Sequence, residues 1–144
     1  MNKSLLDTDI FSDILKGIDQ TVVARAVAYR TFWGRYTIST ITVLEIVKGL
    51  HKVQREERIQ QFLAGLVAVE LLKLDLSSAT LAGRIYADLE RTGQPIGRAD
   101  PMIAAIALHY DLTLITSNLS HYRRIESIGY PIKLENGRER IDVL

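Results

Sequence analysis

No cysteine occurs anywhere in the 144-residue chain, which excludes disulfides and thiolate metal ligands and suits a reducing compartment. No apolar run approaches the ~18 residues of a membrane span. Near the start only Leu5 and Leu6 stand between Ser4 and Asp7, too short a run for the core of a secretory leader. The expectation is a cytoplasmic protein with no membrane partner. Charge of one sign is also lacking. The formal net charge is +1, so any basic surface for a polyanion must come from local clustering. No internal repeat, low-complexity tract or linker divides the chain. What is present is the composition of a soluble globular protein, 47% hydrophobic and 24% charged, at a length that allows one domain with a sizeable core. Residues 1–144 are expected to form a single domain.

The chain is organised around residues 4–13, SLLDTDIFSD. Leu5-Leu6 reads as a buried strand ending in Asp7. Ile10, Phe11, Ile14 and Leu15 then recur at helical spacing. Helical pattern continues over residues 14–29 with a break at Gly17, and Val22, Val23, Ala26 and Val27 form its apolar stripe. Trp33-Gly34 makes a turn before a short strand over 36–39. Helices are expected over 42–53 and 55–66, and a strand over 70–74. Ser77 or Ser78 caps an amphipathic helix carrying Leu81, Ile85 and Leu89 and stopped at Gly93. Asp100-Pro101 opens a helix whose body, 102–108, is apolar almost all round and so deeply buried. A strand over 112–116, a loop and short helix over 118–125 and an edge strand over 132–134 complete the chain. Strands alternating with helices imply an α/β fold, a three-layer α/β/α sandwich with a mainly parallel central sheet.

Four acids sit where they can serve either chemistry or local structure. Asp7 and Asp9, one residue apart, fall at the carboxyl end of a strand, where open α/β sheets bind ligands. The competing reading is that Asp7 merely ends the strand while Thr8 or Asp9 caps the next helix. Thr42 and Glu45 have capping-box spacing. Helical spacing also puts Thr42, Glu45, Lys48, Gly49 and Lys52 on one polar stripe. Asp100 before Pro101 makes a good N-cap, yet the helix it opens is buried, so its start points inward. Carboxylates gathered at one place repel and raise their own pKa values unless a cation joins them. Oxygen-only ligands suit Mg²⁺ or Mn²⁺, and such a site can grip phosphate oxygens and activate water. Lys48, Lys52 and Arg98 are candidate phosphate contacts. Arg98 is favoured for its proximity to Asp100.

The ordered set LLDTDIFS, IST with VLEIVKG, GRADPMIAAIAL and LTLITSN resembles the PIN domain, and within it the VapC-type toxins of toxin–antitoxin pairs. The resemblance spans nearly the whole chain. It implies a helix-covered sheet with an acidic Mg²⁺ or Mn²⁺ site that cuts RNA, Asp7, Glu45 and Asp100 taking its three main acidic positions. Thr8 and Asp9 would give close support, and Thr116 and Asn118 would line the site. Many relatives carry a further acid at or just beyond Asn118, where this chain has His121. That histidine is left with three roles: metal ligand, phosphate contact or packing. The resemblance also implies a cognate antitoxin protein, for which Phe32, Trp33, Phe62 and Leu66 could line a groove, and a homodimer. The expected function is therefore a metal-dependent endoribonuclease acting as a toxin. One alternative is a catalytically weak PIN-like domain that only binds RNA or a protein. The other is a haloacid-dehalogenase-like phosphatase, against which Phe11 stands where that family has Thr or Val.

Overall fold

Strands of three or four residues cannot hold a sheet by their ladders alone, so the helices that cover them decide the architecture. A computed structural model describes residues 1–96 and 99–139. Along the chain run β1 (Ser4–Leu6), α1 (Thr8–Lys16), α2 (Gln20–Trp33), β2 (Thr37–Ser39), α3 (Thr40–Lys52) and α4 (Glu56–Gly65). A 3₁₀ turn (Leu66–Ala68) leads to β3 (Glu70–Leu72), α5 (Leu76–Arg91), α6 (Asp100–His109), β4 (Thr113–Thr116), α7 (Leu119–Ser127) and β5 (Leu134–Asn136). Every described pairing is parallel: β1 with β4, β4 with β5, and β2 with β3. With β2 alongside β1, the strands follow the order β3-β2-β1-β4-β5. The two ladders are not joined by strand pairing. The Tyr29 hydroxyl accepts from Ser4 N at 3.1 Å and donates to Ser4 O at 3.3 Å, occupying backbone groups that β1 would otherwise offer a neighbour.

Strand alternation sends successive side chains to opposite faces. Leu5 and Leu114 enter a core with Ile85, Leu89, the body of α6, Tyr122 and Ile125. Leu6, Ile38 and Ile115 enter a second core with Ile10, Phe11 and Val22. The result is the expected α/β arrangement of a parallel sheet covered on both faces. Residues 103–107 of α6 are 0% exposed, as its all-round apolar sequence requires. Burial contributes about 1.5–3 kcal/mol for each large side chain such as Ile103 or Ile106. Gly17 ends α1 at φ 65°, where a residue without Cβ is least strained. No helix among the described residues is long and apolar enough to cross a membrane.

Several element ends depart from the sequence expectation, each for a local reason. α3 begins at Thr40 because Ser39, not Thr42, is its N-cap, its hydroxyl accepting from Thr42 N at 3.3 Å. α5 is capped by Asp75, which accepts from Ser78 N at 2.8 Å, rather than by Ser77 or Ser78. The edge strand lies at 134–136, two residues later than its apolar signal, because Ile132 turns into the core and pairing begins at Leu134.

Candidate active site

β1 and β4 run parallel and end together, at the point where the order of strands switches direction. Asp7 N donates to Ile115 O at 2.9 Å, carrying the ladder one residue past β1 and turning the chain into α1. The Asp7 side chain accepts from Thr8 N at 2.9 Å and from the Thr116 hydroxyl at 2.7 Å. Asp7, not Thr8 or Asp9, is thus the N-cap of α1. It is 4% exposed, and burial together with the Asp9 and Asp100 carboxylates raises its pKa to about 7, against the pull of Thr116 and Thr8. Asp9 leans the other way, onto the turn after β4. Its Oδ2 accepts from Ser117 N at 3.0 Å and from the Ser117 hydroxyl, with Asn118 Nδ2 at 3.5 Å.

Asp100 arrives from the opposite face. It is the first residue of α6, after an N-cap at Ala99 that makes no side-chain cap bond. The expected capping role is therefore absent, and Asp100 is free to face other side chains. Its Oδ1 accepts from the Tyr122 hydroxyl at 3.3 Å and its Oδ2 stands 3.2 Å from His121 Nδ1. Burial, and to a lesser extent Asp9, raises its pKa, while His121 and Tyr122 pull it down. Tyr122 is itself fully buried. Burial first, then the charges of Asp7 and Asp100, hold its phenol well above the ordinary range, so it is a neutral donor beneath both acids. His121 does not pack into the core: its side chain is 44% exposed.

Glu45 projects from the middle of α3. With Ser39 doing the capping, no capping box forms, and Glu45 Oε1 instead accepts from the Thr8 hydroxyl at 2.6 Å. Thr8 Oγ1 lies 2.9 Å from Thr42 Oγ1. A hydroxyl has one proton, and Thr8 spends it on a carboxylate that cannot donate. Thr42 is therefore the donor to Thr8, and a directed relay Thr42–Thr8–Glu45 fixes the acid. Glu45 forms part of the wall of two grooves. One, with Thr8, Leu15, Lys16, Ile18, Ile46, Arg58 and Phe62, lies between α1, α3 and α4. The other, with Leu44, Lys48, Lys52, Asp100 and Met102, lies between α3 and α6.

The donor set is chemically suited to a hard cation: it is all oxygen and anionic. Asp7 is buried beside two other carboxylates, and among the described residues no Lys or Arg pairs with it. The acids are not drawn into a closed cage. Among the described residues no three of them stand close enough to share one ion. Residues 4–126 match the PIN domain family. The chain belongs to the PIN-domain family. The tRNA(fMet)-specific endonucleases VapC of Shigella flexneri and Salmonella typhimurium are each 33% identical to it. The alignments cover 87% and 89% of this chain and 93% and 96% of those proteins. In fold, this PIN domain is similar to the DNA-bound VapBC complex from Salmonella typhimurium, with a TM-score of 0.78 and 31% identity over 95% of this chain and 99% of that one. It is likewise similar to VapBC-1 from nontypeable Haemophilus influenzae, at 0.75 and 26% over 94% and 98%. The family decides against the phosphatase alternative.

The structure thus brings Asp7 near Asp9 and Asp100, and Thr8 to Glu45, with Thr116 and Asn118 at the same strand ends. Arg98 lies outside the described residues. Two residues beside these acids, Ser117 and Tyr122, escaped the sequence reading, and Thr42 was read only as a capping-box partner of Glu45. Ser117 had a signal in the hydroxyl-rich TSN turn. Tyr122 had none, because at three residues from Ile125 it reads as ordinary helix core.

Proposed function

We propose that this chain is a Mg²⁺- or Mn²⁺-dependent endoribonuclease, the toxin of a toxin–antitoxin pair. The observation that carries this reading is Asp7, a buried carboxylate raised to about 7 with two further acids beside it and no cation paired to it among the described residues. Asp7, Asp100 and Glu45, which stand apart without a cation, are the residues that would close on the metal and hold it. When bound, it supplies positive charge against the phosphate oxygens and favours ionisation of the attacking water. The protein's own part is positional. Thr116 and Thr8 N orient Asp7, Ser117 holds Asp9, Tyr122 and His121 orient Asp100, and Thr42–Thr8 aims Glu45. His121, half-exposed beside Asp100, is placed to donate to a phosphate oxygen. Cleavage of a mixed RNA pool should require Mg²⁺ or Mn²⁺ and stop in EDTA, with the metal-free chain still folded. Equal cleavage in EDTA would overturn the mechanism, and no cleavage under any condition would favour the binding-only reading.

The antitoxin reading rests on the solved VapBC complexes to which the fold is similar. The groove between α1, α3 and α4 fits an amphipathic helix, since Leu15, Ile18 and Phe62 give apolar contact beside Lys16 and Arg58. Of the residues expected to form that groove, Phe62 lines it, whereas Leu66 packs against the core. Phe32 and Trp33 instead stack edge to face at the end of α2, 64% and 39% exposed. That exposed pair suits a homodimer contact, to be read from the solution mass of the wild type and of Phe32→Ser.

A further inference from the structure

Glu45, Lys48, Gly49 and Lys52 line one side of the groove between α3 and α6, and Ala99, Asp100 and Met102 line the other. Positions 45, 48, 49 and 52 share one helix face. The groove therefore runs from an acidic end, between Glu45 and Asp100, to a basic end at Lys52. The rise from Glu45 to Lys52 is about 10 Å along the helix axis, the length of roughly three stacked nucleotides. Lys48 and Lys52 are exposed. Among the described residues, neither ammonium has a carboxylate within salt-bridge distance. Their charge is thus uncommitted, directly beside acids that would repel a polyanion. Leu44, 58% exposed, and Met102 add apolar surface to the groove.

We infer that the groove between α3 and α6 carries single-stranded RNA away from the acidic site, with Lys48 and Lys52 on its flanking phosphates. This rests on the ribonuclease reading and assigns the substrate a path. The neighbouring groove shares Glu45 but is lined by the larger apolar side chains of Leu15, Ile18, Leu50 and Phe62, which suit a protein helix better than a phosphate backbone. Lysine contacts of this kind hold the strand without reading sequence.

The test is fluorescence anisotropy of a labelled 12-nucleotide single strand in EDTA, where cleavage cannot interfere, across a salt series. Lys48→Ala/Lys52→Ala should weaken binding at least tenfold at low salt. It should also flatten the slope of log affinity against log salt by about 1.4, two phosphates at ~0.7 each. With Mg²⁺, KM should rise by a similar factor while kcat stays within twofold, and the melting temperature should not move. Lys48→Arg/Lys52→Arg should restore affinity and slope. Unchanged affinity and slope in the alanine pair would overturn the inference. So would intact RNA binding with lost antitoxin binding, which would make the groove a protein's. Wild type that binds RNA but never cleaves it would overturn the ribonuclease reading instead, with the salt slopes still deciding the groove.

Discussion

Asp7 and Glu45, the two acids proposed to serve one metal site, are held in opposite ways. Asp7 is sunk at the end of β1 and beset by like charges, and it accepts one hydroxyl and one backbone amide. Glu45 stands on a helix face at the border of two grooves, and its side chain accepts from a relay of two threonines. The first residue carries electrostatic strain from burial and its acidic neighbours; the second is aimed by hydroxyls. A cation placed between them would relieve Asp7 most, whereas losing the relay would disorient Glu45 most. The two acids therefore make different demands on any substitution.

The largest expected effect is on Asp7. Asp7→Asn keeps the side chain's shape and its bond from Thr8 N, and the Thr116 hydroxyl can rotate to accept from the new amide. The charge is lost, and with it the acceptor for the Thr116 hydroxyl proton. Removing hydrogen-bonding groups behind a metal ligand typically lowers metal affinity or activity 10–100-fold, so loss of a ligand's charge should lower cleavage at least ~100-fold. Asp100→Asn should follow. Wild-type cleavage by Asp7→Asn would break the contrast at its stronger end.

A second expectation reads the strain itself. The folded Asp7 pKa, about 7, lies above its ordinary 3.8, so the folded state binds the extra proton between those values. Its contribution to stability is complete below the ordinary pKa and is lost as pH rises through about 7. The limit on the slope is about 1.4 kcal/mol per pH unit. Asn mimics the protonated acid. In EDTA, Asp7→Asn should therefore gain stability over wild type progressively from pH 4 to pH 8, by urea unfolding at each pH. Saturating Mg²⁺ should shrink that gain. Parallel stability curves for the two proteins would mean that Asp7 is not strained.

The contrast was partly legible in the sequence. Asp7 announced itself, since an apolar pair running into an acid reads as a strand end. The long buried α6 was equally plain from its apolar residues, and with it the inward direction of Asp100. Glu45 was found, but its motif misled: Thr42-x-x-Glu45 has capping-box spacing, and only Ser39 taking the cap at the end of β2 freed both side chains for Thr8. Ser39 could do so because β2 runs into α3 with no intervening loop. Asp75 similarly displaced two serines, since cap choice depends on where the chain leaves the preceding strand. Short strands offer too few residues for a period-two pattern, which is why β5 lay two residues from its apolar signal. Tyr122 was not legible, because a phenol beneath two acids looks in sequence like any core aromatic.

The smallest expected effect tests the other half of the contrast through Thr8. Thr8→Val keeps the shape but deletes the hydroxyl that donates to Glu45 and accepts from Thr42. Thr42 is 0% exposed, so its hydroxyl would be left without that acceptor, and a buried unpaired polar group costs about 1–3 kcal/mol. Glu45 keeps its charge and loses its orientation, which by the behaviour of groups behind metal ligands should lower cleavage ~10-fold. Thr8→Ser retains the hydroxyl and should restore most of both. The ratio is the informative quantity: Thr8→Val should harm activity far less than Asp7→Asn and harm metal-free stability more. If Thr8→Val proved as inactive as Asp7→Asn, orientation would matter as much as charge, and the two acids would be alike after all. If it left cleavage untouched while lowering stability, the relay would serve the fold alone and Glu45 would need no aiming.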